Sequence, residues 1–171
     1  NLSTGTGLTV VAAGKMIKQG MDAETIAEKL RAGTSRRHAS FILDTLTFLS
    51  AGGRCSSVTA FGANMLKLKP CIQVDNHDGS MTVGKKYRGS LDKVLVKYVK
   101  DELARYSDIN TDLLFITHSG IPQDYIDLVK KTVEDTITFK EIHITKASCT
   151  ISCHCGPNTL GILFESNSSS I

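Results

Sequence analysis

Between Ser90 and Leu103 the apolar residues Leu91, Val94, Leu95, Tyr98, Val99 and Leu103 recur at helical spacing, with lysines and acids between them. That is the pattern of an amphipathic helix laid on a core. Tyr125, Ile126, Val129 and Val133 repeat it behind Pro122, which suits a helix start. A further helix is predicted over Leu8 to Lys18, capped by Ser3 or Thr4 and closed by Gly20. Asp22 caps the next, which carries Ile26, Ala27 and Leu30 and ends at Gly33. Two short helices are expected beyond it. Asp44 caps one that runs through Leu46 and Leu49 to Gly52-Gly53, and Ser57 to Leu66 forms the other, with Val58, Phe61, Met65 and Leu66 on one side.

Strand patterns alternate with these helices. His38 to Leu43 reads as a short strand, and Pro70 to Val74 and Met81 to Tyr87 as two strands joined by the hairpin loop Asn76-His77-Asp78-Gly79. Leu113 to Thr117 is continuously apolar, as a buried strand is. Glu141 to Thr145 and Leu160 to Phe164 complete the set, and the polar tail from Ser166 to Ile171 is expected to fray. Interleaved strands and helices define an α/β or two-layer α+β class, and the hairpin makes the sheet mixed. The first 35 residues hold helices and no strand. They read as the last helices of a preceding domain, with residues 36–171 forming the α/β domain proper. The opening Asn1-Leu2-Ser3-Thr4-Gly5-Thr6-Gly7 resembles a loop entering a helix and predicts a piece of a longer protein.

Charge narrows the function. Among 171 residues, 20 are basic and 17 acidic, a net +3, and no basic run carries interleaved aromatics. Nucleic acid is therefore not indicated. No apolar stretch approaches the length of a membrane span. Five cysteines, an odd number without a small-domain framework, favour a reduced, cytoplasmic setting.

The chemistry concentrates in Cys149 to Phe164, CTISCHCGPNTLGILF. His154 is read as the apex of a turn punctuated by Gly156, Pro157 and Gly161, where backbone can come close to a bound group. Three chemistries compete there. Cys149, Cys153, His154 and Cys155 are the residue types of a zinc site, but adjacent residues of an extended segment point to opposite faces and no CxxC pair is present, so no metal is expected. A cysteine activated by its sequence neighbour is disfavoured, because catalytic partners are assembled by the fold. Anion binding fits best. Arg54 follows a double glycine, Arg88 follows Lys85-Lys86-Tyr87, and both join His154 at element ends, where charge-assisted hydrogen bonds suit a carboxylate. Each of the three also has an ordinary structural reading, as a surface arginine or a turn histidine bonded to backbone.

In order along the chain stand Ser3-Thr4-Gly5-Thr6-Gly7, Gly52-Gly53-Arg54, Leu68-Lys69-Pro70, Lys86-Tyr87-Arg88, and His154-Cys155-Gly156-Pro157 with Gly161. This run resembles the DegV family of bacterial fatty-acid-binding proteins over nearly the whole chain. The chain departs from the family pattern with Cys155 for its threonine, Asn158 for its glycine, and Ser152-Cys153 for its glycine-threonine. The resemblance implies two α/β domains that clasp one long-chain fatty acid. It also implies a role as the acyl-binding subunit of a fatty acid kinase, presenting the carboxylate to a separate catalytic chain without catalysis or cofactor of its own. It carries His154 over as a carboxylate contact beside Gly156, and Arg54 and Arg88 as basic positions near the mouth that hold the headgroup or meet the kinase. Phe61, Met65, Leu66 and Ile162 are candidate walls for the acyl chain. The rival reading is a small phosphotransferase akin to dihydroxyacetone kinases, against which stand the missing nucleotide loop and the missing carboxylate pair for magnesium.

Overall fold

A computed structural model describes residues 3–53 and 68–168. Its strands are β1 (Arg37–Ile42), β2 (Leu68–Val74), β3 (Met81–Arg88), β4 (Ile109–His118), β5 (Glu141–Lys146) and β6 (Leu160–Ser166). They form one six-stranded sheet in the order β3-β2-β1-β6-β4-β5. Every pairing is antiparallel except β4 with β5, so the sheet is mixed as the pattern predicts. The helices are α1 (Thr4–Lys18), α2 (Ala23–Ala32), α3 (Thr47–Ala51), α4 (Leu91–Ala104), α5 (Gln123–Thr136) and α6 (Cys149–Cys155). The helix expected over Ser57 to Leu66 lies outside the described residues.

The two faces of the sheet have different work. On one, Ile42, Leu114, Ile116, Ile162 and Phe164 meet the apolar faces of α4 and α5 in a single large core. Tyr98 pins α4 to it. Its hydroxyl donates to the Ser40 carbonyl at 2.8 Å and accepts from the Ile162 amide at 3.0 Å, so a fully buried phenol is satisfied between β1 and β6. On the other face Leu8 of α1 packs on Leu113, Phe115 and Leu163, while Leu43, Leu49 and Ile72 cluster beneath α3. The side-chain period of 2 assigns residues to these faces, and Ile162 and Leu163 fall on opposite ones.

Several local expectations hold. The Asp22 carboxylate accepts the Thr25 amide at 2.8 Å as the N-cap of α2. Gly20, just beyond α1, takes a φ of 78°. The β2–β3 loop is a hairpin tied by Asp75 to Ser80 at 2.8 Å, with His77 exposed in it.

Three expectations are corrected. Asp44 does not cap α3. Its carboxylate pairs with Lys69 and accepts from the Asn158 side chain at 3.1 Å, and Thr45 Oγ1 instead accepts the Thr47 amide at 3.2 Å. A half-buried lysine is a stronger claim on a carboxylate than an exposed helix start. Cys149 to Cys155 is not a turn but the helix α6, closed by the Ser152 amide on the Ser148 carbonyl at 2.9 Å and Gly156 on Ser152 at 2.8 Å. The sequence CTISCHC is rich in weak helix formers, so packing of this helix against α3 outweighs local propensity. Finally, Ser166 is a buried end of β6 rather than frayed tail, and Asp108 accepts both the amide and the hydroxyl of Ser168.

His38 gives this fold an acid weakness. It is buried against Tyr106 and Phe164, with Nε2 3.0 Å from Ser166 Oγ and Nδ1 3.2 Å from Asn76 Nδ2. Burial, and then the nearby Arg105 charge, lower its pKa to about 4. The unfolded chain therefore takes up a proton that the folded chain refuses. This stability contribution is present above the ordinary histidine pKa and is lost as pH falls from there toward the folded value. Glu102, whose pKa burial raises, pushes the other way. Urea unfolding of wild type and His38→Gln at pH 7 and pH 5 is expected to show a larger acid loss in wild type, and equal losses would refute this role for His38.

Candidate functional site

Between α1 on one side and α3 and α6 on the other, the second sheet face is open and forms a cavity of about 260 Å³. Its floor is built by register. Phe41, Gly161 and Thr117 lie side by side on β1, β6 and β4, and Ala39 and Leu163 form the next row. Val74 and Met81, Cα partners on β2 and β3, bound it toward the sheet edge. Ile151, His154 and Cys155 of α6, with Leu49 of α3, line the opposite side. From β3 to β4 the cavity crosses four strand spacings, about 19 Å.

Glycines make the space. A Cβ on Gly161 would collide with the Ser40 carbonyl oxygen and stand 2.9 Å from Phe41 Cβ, so only glycine lets β6 form this floor. A Cβ on Gly52 would run into the His154 imidazole, and one on Gly156 would run into the Phe48 ring. The double-glycine motif at the end of α3 and the glycine-proline motif at the end of α6 are thus two halves of one contact. Gly156 has a φ of 75°, and Asn158 sits in the left-handed region at 60°, which asparagine tolerates. Asn158 is fixed by the Gly120 carbonyl at 2.9 Å and by Asp44.

The polar groups of the cavity gather where β4 ends and β6 begins. Thr117, His118, Ser119 and Thr159 line it there, together with Ser3 from the start of α1. Thr117 Oγ1 bonds to Thr4 Oγ1 and, at 2.9 Å, to Thr145 Oγ1, a hydroxyl chain tying the first turn of α1 to the sheet. Ser119 donates its hydroxyl to the Gly156 carbonyl, and its amide donates to the Thr159 carbonyl at 3.0 Å. His154 Nδ1 is buried and has no hydrogen-bond partner among the described residues. Burial, helped by the Lys146 charge, lowers the His118 pKa, so that imidazole is held neutral. Burial, then Cys153, pushes the Cys155 thiol up to about 11, which leaves it an unreactive wall group.

The predicted site residues do not all come together. His154 lines the cavity and Gly156 closes α6 behind it. Arg88 ends the edge strand β3 with an exposed side chain and is not among the lining residues. Arg54 lies outside the described residues, as do the wall candidates Phe61, Met65 and Leu66. Ile162 is corrected: it belongs to the α4–α5 core, and its neighbour Leu163 faces the cavity. Sequence reasoning offers Ser3 as a helix cap and misses Thr117 and Ser119, although Thr117-His118-Ser119-Gly120 after a buried strand is a usable signal. Among the described residues no three His, Cys, Asp or Glu side chains are placed to hold a metal ion. In α6, Cys149 and Cys153 are exposed while Cys155 lines the cavity.

The site is thus an apolar cavity across a mixed sheet, with hydroxyls and the His118 imidazole where β4 ends. The model of the DegV family, described as uncharacterised proteins, matches residues 1–167, and the chain belongs to that family. A DegV domain-containing protein of Clostridium perfringens is 29% identical over 161 residues, which are 94% of this chain and 54% of that protein. A homologue from Clostridium acetobutylicum is 28% identical over 164 residues, 95% of this chain and 57% of its own length. The chain thus spans little more than half of the curated relatives it matches. Among solved structures, a DegV family protein from Thermus thermophilus, described for its fatty acid binding, superposes with a TM-score of 0.82 at 24% identity, over 96% of this chain and 57% of that one. The Streptococcus pneumoniae fatty acid kinase (Fak) B3 protein, loaded with linoleic acid, gives 0.76 at 20% identity, over 94% and 55%. At these identities the structural likeness establishes the fold.

Proposed function

We propose that this chain holds the tail of a long-chain fatty acid in the cavity over β3 to β4 and presents its carboxylate, at the polar end, to a separate kinase. The observation that carries the reading is the change of polarity across one cavity: the Thr117 and Ser119 hydroxyls and the His118 imidazole where β4 ends, and apolar side chains at Val74 and Met81 on the far strands. Each buried CH₂ contributes about 0.8 kcal/mol. A carboxylate withdrawn from water needs donors, or its desolvation cancels that gain. His154 is read as one such donor, and the Ser3 and Thr117 hydroxyls line the cavity where β4 ends.

Family membership and the fatty-acid-bound neighbours support the ligand class, and the pneumococcal kinase protein supports the partner. On this reading the protein is a cytoplasmic binding subunit with no turnover of its own. Arg54 and the exposed Arg88 serve the headgroup or the kinase surface. Residues 1–35 are the last helices of a first domain that completes the clasp, α1 forming the side of the cavity against which that domain closes. Among the described residues no helix is long and apolar enough to cross a membrane. Full-length protein incubated with ATP and fatty acid is expected to form acyl phosphate only when a fatty acid kinase catalytic chain is added. ATP consumption without that chain would contradict the binding-subunit reading.

A further inference from the structure

The apolar end of the cavity is closed by one cross-strand pair. Val74 is the last residue of β2 and Met81 the first of β3, and they face each other as Cα partners. Both line the cavity, and Met81 also packs against the Leu43, Leu49 and Ile72 cluster. Between them runs the hairpin loop, in which Asp75 and residues 77–80 are exposed. Among the described residues, no apolar side chain lines the cavity beyond this pair. Among the described lining residues, this pair is the last that a chain entering from the polar end reaches.

Resting on the fatty-acid reading, we propose that Met81, with Val74 as its support, is the end stop that sets which acyl-chain length this protein prefers. Methionine is unbranched and adaptable, so its thioether can fold against the tail of a shorter chain or withdraw from a longer one. Its position on a hairpin leaves the polar end untouched by changes there. Shortening Met81 to alanine removes three heavy atoms at the stop and makes room for about two more methylenes. At the usual gain per CH₂, that favours the longer chain by about tenfold relative to wild type.

The test is competition of saturated fatty acids of increasing length against a fluorescent fatty acid, on full-length wild type, Met81→Ala, Met81→Phe and Val74→Ala. Melting curves of the same proteins without lipid report on folding. The expected result is a preference displaced to longer acids in both alanine variants and to shorter ones in Met81→Phe, with the order of affinities, not only their size, changed. A parallel loss or gain at every length would overturn the end-stop role while leaving fatty-acid binding intact. If wild type displaces no probe with any acid, the binding reading fails, and the end stop with it. Val74→Ala keeps the question open to test if a Met81 variant does not fold.

Discussion

His154→Ala is expected to weaken fatty-acid binding by about ten- to a hundredfold, with His77→Ala at the wild-type value and His118→Ala between them. A hydrogen bond to a charged group is worth about 1.5–3 kcal/mol, and each 1.4 kcal/mol is a decade in affinity. His154 is placed for this role by contact rather than by sequence position alone. Its ring rests on Gly52, where no side chain could fit, and its Nδ1 is buried without a partner among the described residues. His118 also lines the cavity, but its Nδ1 already accepts the Gly120 amide at 3.3 Å. His77 lies in the β2–β3 hairpin, away from the lining residues. Gly52→Ala provides a second route to the same loss. Gly52 has an ordinary φ of −78°, so alanine strains no backbone torsion there, and its methyl displaces the imidazole and stands 3.2 Å from the Phe48 carbonyl oxygen. Isothermal titration of full-length protein checks all four variants against their melting temperatures. Wild-type affinity in a folded His154→Ala protein would remove this residue from the site.

Gly161→Ala is the substitution expected to damage the fold most. The new methyl meets the Ser40 carbonyl oxygen and Phe41 Cβ within the β1–β6 pairing, where backbone cannot yield without losing the ladder. Overpacking at such a site costs about 1–3 kcal/mol or more, which for a protein of this size lowers the melting temperature by several degrees. Gly14→Ala is the control. Nothing stands within 4 Å of its Cβ position inside α1, and alanine in a helix interior stabilises by about 0.5–1 kcal/mol. Calorimetry should therefore move the two variants in opposite directions. A Gly161→Ala melting temperature at or above wild type would refute the close approach of β1 and β6.

The long elements were legible because their patterns are strong and local. The stripe through Leu91, Val94, Leu95, Tyr98, Val99 and Leu103 can only be one face of a helix, and the apolar run Leu113 to Thr117 only a covered strand. What the sequence hid depends on partners distant in the chain. Asp44 looks like a helix cap until Lys69 and Asn158 are brought to it. Cys149 to Cys155 lacks helix formers, and its helical state follows from packing against α3 and from Gly156 ending it. Ile162 and Leu163 are equally apolar, so only the β6 register decides which faces the cavity. The motifs around Gly52 and Gly156 were visible separately. That they meet, with His154 and Phe48 occupying the space of their absent side chains, is a property of the fold.

Native mass spectrometry of the full-length protein, purified from cells without added lipid, tests the central claim most directly. The account predicts a complex heavier than the apo chain by the mass of one long-chain fatty acid, lost on delipidation and restored one to one when the acid is added back. A delipidated protein that takes up no fatty acid, while its melting curve shows it folded, would contradict it.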